Sequence, residues 1–258
     1  MGVINVTPDS FSDGGQFLDH EAAIARGHEL IAEGADVIDV GGESTRPGAE
    51  GVPVEEELRR VLPVVEALSP HVRLSIDTRK AKVAEAAIAA GATLINDVSA
   101  SLHEVAAAAG SAVGFVAMHM LGDPRTMQAN PTYDDVLRDV RDFLVARADA
   151  AVAAGVEEVW IDPGIGFGKT TDHNLSLLKH LDVLVSTGFP VVIGTSRKRF
   201  LGALLAEVDR PKPLQSVPVD DRLEGSVASA AWAMVQGVRM VRVHDVRATV
   251  HAAKVVAG

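Results

Sequence analysis

The sequence predicts a single α/β domain, a (β/α)8 barrel with eight parallel strands inside and helices outside. Three observations lead there. Short runs rich in Val and Ile alternate with longer amphipathic stretches along the whole chain; there are eight such runs; and a glycine stands shortly before most of them. Near-continuous apolar strands separated by helices imply a parallel sheet covered on both faces. A chain of 258 residues suits one closed barrel.

The elements follow in order. Strands are expected at 2–6, 37–40, 74–76 and 94–96, with helices at 19–33, 54–68 and 79–90 between them. A fifth strand at 114–118 precedes a long helix at 133–154, and a sixth at 159–161 precedes a helix at 172–186. The seventh strand is read at 191–193, the eighth at 238–243, with helices at 222–236 and 246–257. Gly34, Gly91, Gly110, Gly155, Gly188 and Gly237 mark helix ends, where a left-handed cap suits glycine. The proline-rich stretch 209–218 reads as a loop in the seventh unit.

Composition removes several classes of function. The net charge of −11 argues against general affinity for nucleic acid or an anionic membrane, so any anion must be held by a local site. Apolar runs fall far short of the roughly 20 residues of a membrane span. The first residues lack the basic start and cleavage site of a secretory signal. With no cysteine there is neither disulfide nor thiolate chemistry, which fits a reducing compartment, and the cytoplasm is the expected location.

Barrel enzymes carry their chemistry at the C-terminal ends of the strands. Here the strands end at or near Asn5, Asp39, Asp77, Asn96 and Asp97, His119, Asp162, Thr195 and Ser196, and Arg242 and His244. Turn preference explains any one of these, but eight polar ends together imply a pocket. Asp77 and Asp162 close otherwise apolar strands, where a carboxylate needs a partner. The loop PGIGFGKTT at 163–171 fails the Walker A and dinucleotide patterns by spacing. Its glycines are expected to turn the backbone beside a flat ligand, with Phe167 lining the pocket. Positive charge gathers in SRKR at 196–199 and at Arg242 and His244, which are two apart and so share a face if they lie on one strand. Loops after strands seven and eight are the usual phosphate site of barrels.

Eight segments together resemble the dihydropteroate synthase family: NVTPDSFSDGG at 5–15, DVGGESTRPGA at 39–49, SIDT at 75–78, INDVS at 95–99, MHMLGDPRTMQ at 118–128, DPGIGFGK at 162–169, SRKRFLG at 196–202 and RVHDV at 242–246. The resemblance spans nearly the whole chain in the family's order. It implies a barrel, usually dimeric, that joins 6-hydroxymethyl-7,8-dihydropterin diphosphate to 4-aminobenzoate in folate synthesis. By resemblance, Asp77, Asn96, Met118, Asp162, Phe167 and Lys198 hold the pterin. Asn5, Thr45, Arg46, Arg242 and His244 hold the diphosphate, with Mg2+ bound through Asn5. Phe11, Arg46, Pro47, Phe167, Lys198 and Arg199 hold 4-aminobenzoate. Asp77, Lys198 and Asp9 are the expected catalytic residues of an SN1-like course, and sulfonamides are expected to compete with 4-aminobenzoate.

Rival readings are a pterin-dependent methyltransferase, which has no diphosphate to hold, and a catalytically silent pterin-binding paralogue. Two departures from the family pattern stand out. Ala100 and Ser101 follow NDVS where the family often has glycine, and Met1 already lies at the first strand, so either a thinly covered barrel floor or a truncated start is expected.

Overall fold

Eight short strands run parallel around a ring: β1 (Gly2–Asn5), β2 (Val37–Gly41), β3 (Arg73–Asp77), β4 (Leu94–Asp97), β5 (Gly114–Met118), β6 (Val159–Asp162), β7 (Val192–Ile193) and β8 (Met240–Val241). The structure, a computed structural model, describes residues 1–7, 16–44, 51–208 and 216–258. β1 to β6 pair in chain order as one sheet, and β7 pairs with β8. Two isolated parallel bridges, Ile161 with Val191 and Gly2 with Val243, complete the ring. Ile161 N donates to Pro190 O at 3.0 Å, and Val3 N donates to Val243 O at 3.2 Å.

The helices are α1 (Gln16–Ala32), α2 (Val54–Leu68), α3 (Ala81–Ala89), α4 (His103–Ala109), α5 (Val136–Ala153), α6 (Thr171–Lys179), α7 (Leu181–Val185), α8 (Arg199–Val208), α9 (Leu223–Val235) and α10 (Val246–Ala257). Two of these, α4 and α8, were not delimited from the sequence. The single helix expected at 172–186 breaks at His180 (φ −118°, ψ 40°), and the short α7 beyond it still buries Leu181 and Leu184. α5 starts at Val136 because the Asp135 carboxylate accepts from the backbone N–H groups of Leu137 and Arg138. All six helix-end glycines have φ between +88° and +113°, as the sequence required.

Alternation along each strand sorts the core into two parts. Outward residues such as Ile38, Leu74, Ile95, Phe115 and Ile161 are fully buried against the helices. Each such side chain contributes about 1.5–3 kcal/mol through its removal from water. Inward residues Met1, Val37, Leu94, Val116 and Val192, with Trp160 and Met240, form a separate apolar plug. Beneath it Arg73 pairs with Glu158 at 2.6 Å, and Trp160 Nε1 donates to Glu158 Oε1 at 2.6 Å. The floor is therefore closed by an ion pair and an indole. Among the described residues no helix is long and apolar enough to cross a membrane.

Candidate active site

Two residues beyond each plug residue, the same alternation delivers the mouth of the barrel. Val37 is followed by Asp39 and then Gly41, Leu94 by Asn96, Val116 by Met118, Trp160 by Asp162, Val192 by Gly194 and Met240 by Arg242. A layer of hydrocarbon thus gives way to a layer of acids, amide and guanidinium. Arg242 Nε donates to Asp39 Oδ2 at 2.6 Å, and Arg242 Nη2 donates to Asp77 Oδ2 at 2.8 Å. Asn96 Nδ2 donates to the same Asp39 oxygen at 3.0 Å. Asp39 is wholly buried and its other oxygen has no partner among the described residues. Gly41 and Gly194 bring no side chain to this layer, which leaves space above the plug.

Burial and charge set the protonation of the mouth. Burial pushes the Asp77 carboxyl up to about 7, against the pull of Arg242 and with the help of Asp39. Burial also raises Asp162, opposed by Lys198. Lys198 is lowered to about 8 by burial, with Asp162 opposing the change. Burial works against the charge of Arg242, yet Asp39 and Asp77 more than offset it and hold the guanidinium above its usual value. The site keeps Lys198 and Arg242 charged near neutrality while the Asp77 carboxyl lies close to proton uptake.

The loop after β6 is held by side chains at nearly every peptide group, which is how an irregular backbone can be buried. Gly164 N donates to Asp162 Oδ1 at 2.7 Å, and Gly166 N donates to Asn174 Oδ1 at 2.7 Å. Ile165 O accepts from Lys198 Nζ, Gly166 O from Gln128 Nε2 at 2.6 Å, and Gly168 O from Tyr133 Oη at 2.8 Å. The buried Lys169 Nζ donates to Gly164 O and Phe167 O, both at 3.1 Å, and lies 2.9 Å from His119 Nδ1. Burial lowers Lys169 to about 7 and His119 to about 3. Gly164 (φ +63°) has no substitute, since a Cβ there would stand 1.9 Å from His119 O. The outcome is a platform that presents Phe167, with Lys198 Nζ 4.7 Å from its ring centroid.

A flat ligand could lie on this platform with its donor edge toward Asp162 and Asn96. The sequence profile described as "Pterin binding enzyme" matches residues 1–244. The dihydropteroate synthase of Mycobacterium leprae is 47% identical over 264 residues, covering 99% of this chain and 91% of its own. The chain belongs to the dihydropteroate synthase family. Dihydropteroate synthases are transferases, and two solved ones superpose closely. That of Xanthomonas albilineans with 4-aminobenzoic acid gives a TM-score of 0.87 at 49% identity, covering 98% of this chain and 90% of that one. That of Yersinia pestis with a sulfonamide drug gives 0.89 at 44% identity, covering 99% and 92%.

Within this dihydropteroate synthase barrel, Asn5, Asp77, Asn96, Met118, Asp162, Phe167, Lys198 and Arg242 all stand at the C-terminal end of the ring or on the loops above it. Asp9, Phe11, Thr45, Arg46 and Pro47 lie outside the described residues. Arg199 is the exposed first residue of α8. Beyond the end of β8 at Val241, Arg242 turns toward Asp39 and Asp77, and His244 Nδ1 lies 3.0 Å from Ser196 Oγ, just after β7.

One strand end does other work. Asp97 faces away from the mouth and its carboxylate accepts from Ser99 N, Ser99 Oγ, Ser101 N and Leu102 N at 2.5–2.8 Å, tying the fourth loop. Ala100, at the departure from the family's glycine, has φ +51° and is fully buried. A left-handed alanine costs about 1–2 kcal/mol, offset here by the Asp97 bonds and by burial of its methyl group. Lys169 and Arg222 were not singled out from the sequence, and Asp39 was read there as a strand end without a role of its own. For Asp39 the signal was present, because a carboxylate inside the apolar run VIDV is costly unless paired.

Proposed function

We propose that the chain condenses 6-hydroxymethyl-7,8-dihydropterin diphosphate with 4-aminobenzoate, releasing diphosphate and 7,8-dihydropteroate, with Mg2+ required. The observation that carries this reading is the convergence of Asp162, Asn96 and Asp77 beside a platform on which Phe167 faces the Lys198 ammonium. A 2-amino-pyrimidinone edge offers parallel N–H donors that a buried carboxylate accepts well. Asp162 has one oxygen engaged with Gly164 N, and the rest of its lone pairs are available to such an edge.

The reaction proposed is SN1-like. The bond from the exocyclic carbon to diphosphate oxygen breaks with its electron pair leaving on the diphosphate. The cation that remains faces Asp77; the 4-aminobenzoate nitrogen then adds to that carbon and loses a proton. Arg242 and His244 face the departing anion, and Lys198 lies between the pterin platform and the first turn of α8, whose N–H groups suit the 4-aminobenzoate carboxylate. Asp9, Phe11, Thr45, Arg46 and Pro47 take the roles that the family resemblance gives them. Asn5 at the end of β1 supplies one amide oxygen, which fits a cation that takes most of its ligands from water and phosphate. When bound, Mg2+ neutralises charge on the leaving diphosphate.

The test is diphosphate release from the purified chain. Release should require the pterin diphosphate, 4-aminobenzoate and Mg2+ together, stop with chelator, and be inhibited by a sulfonamide in a way that excess 4-aminobenzoate reverses. Folded protein that binds the pterin but releases nothing would make it a silent binding paralogue. Work in the cytoplasm is part of the same proposal.

We also propose a homodimer through α9 and α10. Leu223, Trp232 and Val235 on α9 are 40%, 45% and 63% exposed, and Val255 on α10 is 83% exposed. A contiguous apolar patch, unlike a single exposed side chain, marks an interaction surface, and α9 and α10 pack side by side. Sedimentation equilibrium should give twice the 27.1 kDa chain mass. A monomer at tens of micromolar would refute the dimer.

A further inference from the structure

Lys198 is preceded by Arg197, whose φ is +59°. That conformation is disfavoured for any L side chain and persists only where its surroundings dictate it. Both peptide groups of Arg197 are held from the same side. Its N–H donates to Ser226 Oγ at 2.9 Å, and its carbonyl accepts from Arg222 Nη1 at 2.9 Å. Ser226 Oγ in turn donates to Arg222 O at 2.6 Å. The Arg197 side chain points elsewhere, to Asp245 at 2.6 Å.

Arg222 itself is an unusual group. It is 8% exposed, no carboxylate among the described residues pairs with it, and burial alone lowers its pKa. Its remaining donors go to Val217 O at 2.6 and 2.8 Å and to Ser216 Oγ at 3.2 Å. Space for the guanidinium depends on Gly202, where a Cβ would meet Arg222 Nε at 2.5 Å. A buried cation without an anion is costly, and among the described residues its charge is directed at neutral oxygens. One of those oxygens belongs to the residue whose backbone is strained.

We propose that Arg222 and Ser226 are positioning residues for Lys198. By fixing both peptide groups of Arg197 they hold the left-handed turn that sends the next side chain into the mouth, where Lys198 Nζ meets Ile165 O and the Phe167 ring. The inference rests on the reading of Lys198 as a substrate contact given above. It has a specific consequence: glycine at 197 adopts the turn without help, so it should make the clamp dispensable.

The experiment compares Arg222→Met and Ser226→Ala, each with and without Arg197→Gly, in steady-state diphosphate release by the full chain with Mg2+. Displacing a contact by about 1 Å costs up to roughly 100-fold in rate, so a loss of about 10-fold is expected for each clamp variant. Arg197→Gly should recover at least about 3-fold of that loss, while by itself changing the rate less than about 2-fold, because the Arg197–Asp245 pair it removes is partly exposed. If Arg222→Met does not fold, Ser226→Ala carries the comparison. Folded clamp variants that Arg197→Gly fails to restore, or that lose no activity, would overturn the inference. Lys198→Met separates the two levels: an active Lys198→Met overturns the reading of the site itself, whereas an inactive one with no rescue by glycine overturns only the positioning role.

Discussion

Asp77→Asn is expected to stabilise the protein at neutral pH while removing most of its activity. The Asp77 carboxyl titrates near 7 in the fold against 3.8 for the free group. Between those values the folded chain holds a proton that the unfolded chain has released, so stability falls as pH rises through the window and the whole deficit is present above 7. Three pH units correspond to at most about 4 kcal/mol, and loss of the bond to Arg242 reduces the gain to about 2 kcal/mol. For a chain of this size that is a rise in Tm of about 4–8 °C at pH 8. The gain should shrink steadily toward pH 5, because asparagine has no proton to lose. In the reaction proposed above Asp77 faces the developing cation, so activity should drop by about 100-fold or more. Melting curves from pH 5 to 8 check this; a variant less stable at pH 8, or a gain independent of pH, would contradict it.

Arg242→Ala should fail in both respects. It leaves Asp39, which is wholly buried, and Asp77 beside it without their shared cation. Removing one partner of a buried pair destabilises by about 3–5 kcal/mol, far more than loss of a surface pair. Without the cation the Asp77 carboxyl takes up a proton more readily, since Arg242 no longer opposes its burial. The variant should therefore regain part of its deficit as pH is lowered from 8 toward 5, the same sense of pH dependence as the parent but steeper. Substrate effects should be unequal, with the diphosphate bound more weakly and a pterin lacking the diphosphate bound nearly as before. Chemical denaturation and calorimetry with both ligands measure the two effects. Equal losses of affinity, or unchanged stability at pH 8, would refute the assignment.

These two residues show what could be read from the chain and what could not. The barrel was legible because strand and helix periods, and the glycines that end the helices, are local properties. Asp77, Asn96, Asp162 and Arg242 were legible because a polar residue at the end of an apolar strand is visible in sequence. That Arg242 is already engaged by Asp39 and Asp77 was not, since the three lie on strands separated by up to 203 positions. Lys169 and Arg222 escaped notice for a related reason. Each works through backbone carbonyls, which every residue has, so no residue type marks the partner. Asp97 misled in the opposite direction: its position at a strand end matched its neighbours', but its side chain takes the outer face and serves the loop.

The strand pairing has a consequence for how this protein comes apart. Asn5, Asp39, Asp77, Asn96 and Asp162 all stand on the six-stranded sheet, whereas Arg242 follows β8 and Lys198 follows β7 in the two-stranded one. The two sheets are joined by two isolated bridges and by backbone hydrogen bonds of Met1 and Val3 with Val241 and Val243. The acids of the mouth thus stand on one sheet and Arg242 and Lys198 just beyond the other, and the contacts of Arg242 with Asp39 and Asp77 cross between them. Opening there would separate these charges and also part Val192 and Met240 from the rest of the apolar plug. Contacts that close the ring are thus the same ones that set the charge of the mouth, so a ligand that bridged acid and base there would also act as a stave holding the barrel shut.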